Sequence, residues 1–89
     1  MVEKEFTIVN KLGFHARAAV KFVQMASQFK ADVKIRKDNM TVCGKSIMGV
    51  LMLAAAKGTT LNLIIEGDDE DRALKILGEL IEDGFGEEH

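Results

Sequence analysis

The chain has 89 residues, 47% of them hydrophobic, with 12 basic and 14 acidic residues and a net charge of −2. That length makes one domain, residues 1–89, with a thin but sufficient core. The mild acidity gives no bulk attraction to nucleic acid or a membrane, no stretch of about 18 apolar residues occurs, and the charged start is unlike a signal peptide.

Residues 3 to 9 alternate as a strand, with Phe6 and Ile8 on one face. Residues 16 to 28 have helical periodicity, with Ala19, Phe22, Val23 and Ala26 inward. Residues 32 to 37 form a second strand. The turn pair Asp38-Asn39 leads to a third at 40 to 43, with Met40 and Val42 inward. Ser46 opens a second helix that is expected to end before Gly58. Residues 60 to 66 form a fourth strand, with Leu61, Leu63 and Ile65 inward. Asp68 or Asp69 caps a third helix, with Ala73, Leu74, Leu77, Leu80 and Ile81 inward and a stop at Gly84-Phe85. The string is βαββαβα. Strands with one apolar face want helices on that face, which gives an α+β open-faced two-layer sandwich. The pattern does not choose the strand order, because a ferredoxin-like plait shares most of the string.

The run Gly13-Phe14-His15-Ala16-Arg17-Ala18-Ala19 puts a histidine where the strand pattern gives way to a helix. A helix N-terminus carries unpaired N–H groups and the positive end of the dipole, so it welcomes an anion. The backbone of Ala16, Arg17 and Ala18 supplies those groups, and the Arg17 side chain adds a forked cation suited to phosphate. A neutral imidazole beside such a pocket is what a phosphoryl-carrying histidine requires. A lone histidine ahead of a helix commonly has no special role. Glycine, histidine and arginine together favour the functional reading.

Other candidates have plainer alternatives. Ser46 is a good N-cap by type and place. Ile47 and Met48, in the first turn, cannot both point inward with Val50, Leu51 and Leu53, so part of this apolar helix faces outward. Cys43, the single cysteine, reads as a buried or half-buried filler. Without an export signal it points to the cytoplasm. One cysteine and two histidines, one of them His89, leave no structural zinc site, and no cofactor is implied.

The Gly13–Ala19 run resembles the active-site run of the histidine-containing phosphocarrier proteins (HPr) of bacterial phosphotransferase systems. A second family run is matched by Lys45-Ser46-Ile47-Met48-Gly49-Val50, and the resemblance covers essentially the whole chain. Asn10 to Gly13, Leu51 to Gly58 and the Gly84-Phe85 ending are similar to the nitrogen-related branch. Ala18 departs from the family, which usually has proline there.

The resemblance implies a four-stranded antiparallel sheet with three helices on one side. It implies that His15 accepts a phosphoryl group, through Nδ1, from Enzyme I and passes it to an enzyme IIA domain. Arg17 neutralises the group. Ser46 becomes a regulatory phosphorylation site for an HPr kinase/phosphorylase. Phe14, Ile47, Met48 and Leu51 form a docking face. The chain is then a monomeric carrier rather than an enzyme. The alternatives are a regulatory module read through Ser46 with little phosphate flux, and a small-ligand-binding plait of the ACT type. The first does not require His15, and the second does not require Gly13, His15 or Arg17.

Overall fold

A computed structural model of the chain describes residues 1–87. Glu88 and His89 lie outside the described residues. The elements are β1 (Val2–Thr7), α1 (Ala16–Ala26), β2 (Asp32–Lys37), β3 (Met40–Cys43), α2 (Ile47–Met52), β4 (Thr60–Glu66) and α3 (Glu70–Glu82), then a 3₁₀ turn at Gly84–Gly86. The strands form one antiparallel sheet in the order β1-β4-β2-β3.

The strand alternation explains the two layers. Val33 faces Ile65 across the β2/β4 ladder, Ile35 faces Leu63, and Phe6 faces Leu61 across β1/β4. All six are buried, together with Ala19, Phe22 and Ala26 of α1, Val50 of α2 and Ala73, Leu77 and Ile81 of α3. The three helices therefore cover one face of the sheet. On the open face, Glu3 accepts from Arg36 at 2.8 Å and from Asn62 at 3.0 Å, which ties three strands together in water.

The second helix is short and ends at Met52, ahead of Gly58 as expected. Ala54 takes φ 49, and the chain turns so that Ala55 can accept from the Phe14 N–H at 2.8 Å. Three expectations are corrected. Met40 lies in register with inward residues but is 44% exposed, because β3 is an edge strand. Cys43 is exposed rather than filling the core. It pairs with Lys34, whose side chain is on the open face. Asp69 occupies the N-cap position of α3 but makes no cap bond. Its carboxylate accepts from Lys30 N–H and Ala31 N–H, each at 2.9 Å, and so fastens the turn before β2 to the start of α3.

Candidate functional site

Beyond Thr7 the chain stays tied to the segment before β4. Ile8 N–H donates to the Thr59 carbonyl at 2.9 Å, and Gly58 N–H donates to the Ile8 carbonyl at 2.8 Å. Gly13 then turns the chain with φ 64. A Cβ at that position would lie 2.3 Å from the Ala55 carbonyl oxygen, so both conformation and space demand glycine.

The turn sends neighbouring side chains in opposite directions. His15 faces outward with 26% of its side chain exposed, whereas Phe14 is 3% exposed. The Phe14 ring packs edge-on to Phe22, with centroids 5.5 Å apart, and tilted against Phe85 at 4.9 Å. Phe14 is thus a core residue that anchors the loop, and its assignment to a docking face is corrected.

His15 is the N-cap of α1, with extended backbone and Nδ1 accepting from the Arg17 N–H at 3.3 Å. The first rung of the helical ladder is Ala19 N–H to the His15 carbonyl at 2.9 Å. The N–H groups of Ala16, Arg17 and Ala18 therefore lie ahead of the ladder, as the sequence suggested. That of Arg17 is engaged by the imidazole. Ala18 is also fully buried, so its side chain serves the core.

The Arg17 side chain is exposed. With Lys11, Leu12, Lys21, Gly86 and Glu87 it lines an open hollow of about 510 Å³. Three of these six residues are cations, so the surface beside His15 is locally positive although the chain is acidic.

The sequence reading missed Glu87. Its Oε2 lies 2.6 Å from His15 Nε2, and its Oε1 accepts from Asn10 Nδ2 at 3.0 Å. Asn10 is fully buried and also donates to the Gly13 carbonyl at 2.8 Å, so one amide joins the histidine loop to the tail. The tail is held further by the buried Phe85 ring and by Lys21 Nζ, which donates to the Phe85 carbonyl at 2.7 Å. Partial burial pushes the Glu87 carboxyl up. The hydrogen bonds from Asn10 and His15 and the charge of Lys21 outweigh that and hold it below its ordinary value. The one sequence signal was apolar Phe85 after a helix-stopping glycine, which says that the chain folds back but not where it lands.

Ser46 is the N-cap of α2, and its Oγ accepts from the Gly49 N–H at 3.1 Å. Ile47 and Met48 are 40% and 70% exposed, and Val50 and Leu53 point inward. Leu51 is half-buried against the core. Leu12 and Met52, 66% and 65% exposed, were not singled out from the sequence. Among the described residues no group of His, Cys, Asp and Glu side chains is arranged to hold a metal ion.

The family model described as the phosphotransferase-system HPr component phosphorylation site matches residues 2–83. The phosphocarrier protein HPr of Neisseria meningitidis serogroup A is 53% identical over 87 residues, covering 98% of each chain. The crystal structure of HPr-C-His from Thermoanaerobacter tengcongensis matches with a TM-score of 0.96 at 48% identity, covering 100% of both chains. An HPr dimer from the same organism matches with a TM-score of 0.78 at 48% identity, covering 98% of this chain and 100% of that one. The chain belongs to the HPr family, the phosphocarriers of the phosphotransferase system.

Proposed function

We propose that the chain works through His15, which accepts a phosphoryl group from Enzyme I of a phosphoenolpyruvate-dependent system and passes it to a histidine on an enzyme IIA domain. One observation carries the reading: an imidazole caps a helix N-terminus, with Nδ1 turned to the Arg17 N–H. The 3.3 Å bond is long and easily given up. Once Nδ1 is phosphorylated it can no longer accept, so the Arg17 N–H is released to face the new phosphoryl oxygens. The Ala16 and Ala18 N–H groups lie in the same turn. Arg17 and the cationic hollow supply charge for a dianion. The nitrogen–phosphorus bond stays labile, so the group moves on. The chain holds one group at a time and turns over no substrate of its own, which makes it a carrier rather than an enzyme.

The docking face for both partners is read as Ile47, Met48 and Met52, exposed along α2, and Leu12, exposed on the histidine loop. Helix α2 packs against α1, the helix that His15 caps, which supports reading the two as one surface. Methionine suits a surface that serves more than one partner. The role places the protein in the cytoplasm. A single face used in turn by two partners suits a monomer.

Purified protein with Enzyme I and phosphoenolpyruvate is expected to gain one acid-labile, base-stable phosphoryl group, and His15→Ala to gain none. A labelled His15→Ala protein contradicts the assignment.

A second role rests on Ser46. Its hydroxyl stands at the start of α2 beside exposed Ile47 and Met48. A phosphate of about −1.5 to −2 charge there suits the helix dipole and leaves α2 folded while altering the docking face. This is the site for an HPr kinase/phosphorylase. Ser46→Asp is expected to slow His15 phosphorylation severalfold with an unchanged far-ultraviolet spectrum, and an unchanged rate removes the regulatory role.

A further inference from the structure

We propose that Glu87 is a positioning residue for phosphoryl transfer through His15: its carboxylate holds the Nε2–H of the imidazole and so presents Nδ1, unprotonated, as the attacking atom. The inference rests on the function proposed above and adds a residue to it.

The hydrogen-bond geometry fixes the tautomer from both sides of the ring. Nδ1 faces a backbone N–H, the Arg17 amide at 3.3 Å, which can only donate. Nδ1 must therefore present its lone pair. Nε2 faces a carboxylate oxygen at 2.6 Å, and an ionised carboxylate can only accept. Nε2 therefore carries the proton. The Glu87 carboxyl sits below its ordinary value, so it is ionised at neutral pH.

Glu87 is itself aimed. Its other oxygen takes a hydrogen bond from the buried Asn10 amide, whose Nδ2 also binds the Gly13 carbonyl. The aromatic pair of Phe14 and Phe85 sets the distance between loop and tail. A reactive imidazole held through its far nitrogen by a carboxylate, which a third group holds in turn, is the arrangement that orients histidines at metals and in hydrolytic triads.

The chemistry then needs no base. The Nδ1 lone pair forms the bond to phosphorus. The bond from phosphorus to the donor's leaving atom breaks, and its electron pair goes to that atom. No proton leaves His15. The ring becomes a phosphoimidazolium whose positive charge lies against the Glu87 carboxylate at Nε2–H, while the phosphoryl oxygens lie on the Nδ1 side. Onward transfer reverses these changes and restores the same neutral tautomer. Without Glu87 the ring is free to rotate about its side-chain bonds, and the phosphorylated ring loses its counter-charge.

The test uses the full chain labelled with ¹⁵N in its imidazoles, as wild type, Glu87→Gln and Glu87→Ala. His15 signals are identified by their absence in His15→Ala. In the wild type the His15 Nε2–H proton is expected as a downfield resonance protected from exchange with water. Glu87→Ala is expected to lose that protection and to be phosphorylated by Enzyme I about tenfold more slowly. The loss falls on kcat rather than KM, because Glu87 touches the ring. Glu87→Gln keeps an acceptor for Nε2–H, so it retains the resonance and recovers part of the rate. A merely structural tail would move neither the imidazole resonance nor kcat. A Glu87→Ala protein that keeps the protected resonance, or that is phosphorylated within twofold of the wild-type rate, overturns the positioning role. Wild-type protein that takes no phosphoryl group at all overturns the function as well, and so the two failures are distinguishable.

Discussion

Helices α1 and α3 lie on the same face of the same sheet, yet their N-termini are built in opposite ways. The first turn of α3 carries Glu70 and Asp71, which suit the helix dipole, and Asp69 before it ties down two N–H groups of a neighbouring turn. The first turn of α1 has no acidic residue. It carries Arg17, whose charge opposes the dipole at a cost of about 0.3–1 kcal/mol. Its cap is an imidazole bonded at 3.3 Å, where serine, asparagine or aspartate would serve better. A sequence able to build a stable helix start at one end of the sheet did not build one at the other. The difference marks where local stability gave way to chemistry.

The comparison can be broken most sharply at His15. Asparagine is among the best N-caps and cannot carry a phosphoryl group. His15→Asn is expected to abolish phosphorylation while holding or raising the melting temperature. A large fall in melting temperature would mean that the imidazole is there for the fold. Arg17→Ala comes next. It removes a charge that opposes the dipole, so stability should hold, while transfer slows on the order of a hundredfold. Arg17→Lys should recover only part, for want of the fork. Wild-type transfer in Arg17→Ala would return Arg17 to the status of a solvated helix residue.

The matching change at α3 should do the reverse. Asp69→Ala is expected to lower the melting temperature and leave transfer untouched. The Asp69 carboxyl is held below its ordinary value chiefly by the Lys30 N–H, against some desolvation and with help from the Ala31 N–H. A carboxyl depressed in the folded state contributes stability that is fully present above its unfolded pKa. That contribution is lost as pH falls through the unfolded value towards the folded one. The gap in melting temperature between wild type and Asp69→Ala should therefore be widest near neutrality and close in acid. A gap that widens in acid contradicts the account.

Ala18→Pro should have the smallest effect. The Ala18 N–H lies ahead of the helical ladder, so proline there breaks no rung. Restricting the unfolded chain gains roughly 0.4–1 kcal/mol, and losing alanine's helix propensity opposes it. A modest rise in melting temperature with little change in transfer is expected. Loss of transfer in a folded protein would make the Ala18 N–H an essential phosphate ligand.

What could be read from the sequence follows from the range of the forces involved. Alternation in β2 and β4 and the 3.6-residue spacing in α1 and α3 are local, and they placed those elements within a residue or two. His15 as a helix cap was also local, because a cap is a strand pattern meeting a helix pattern. Strand order came only through the family resemblance, because pairing β1 with β4 is a choice between distant segments. The exact end of α2 was not legible, because Gly58 bounds it only loosely and the chain leaves the helix earlier, where the Phe14 N–H bonds to Ala55. Phe14 and His15 are neighbours with opposite fates, decided by a Gly13 turn whose direction the residue types do not encode. Glu87 sits 72 positions from His15 and was invisible because no periodicity links a tail to a loop.

The central claim is that His15 caps α1 and is phosphorylated on the nitrogen that faces the helix. It is tested most directly by ³¹P and ¹⁵N magnetic resonance of the phosphorylated protein labelled in its imidazoles. The account predicts a single one-bond phosphorus–nitrogen coupling, to Nδ1 of His15, with Nε2 still carrying its proton. A coupling to Nε2, or to another residue, would contradict it.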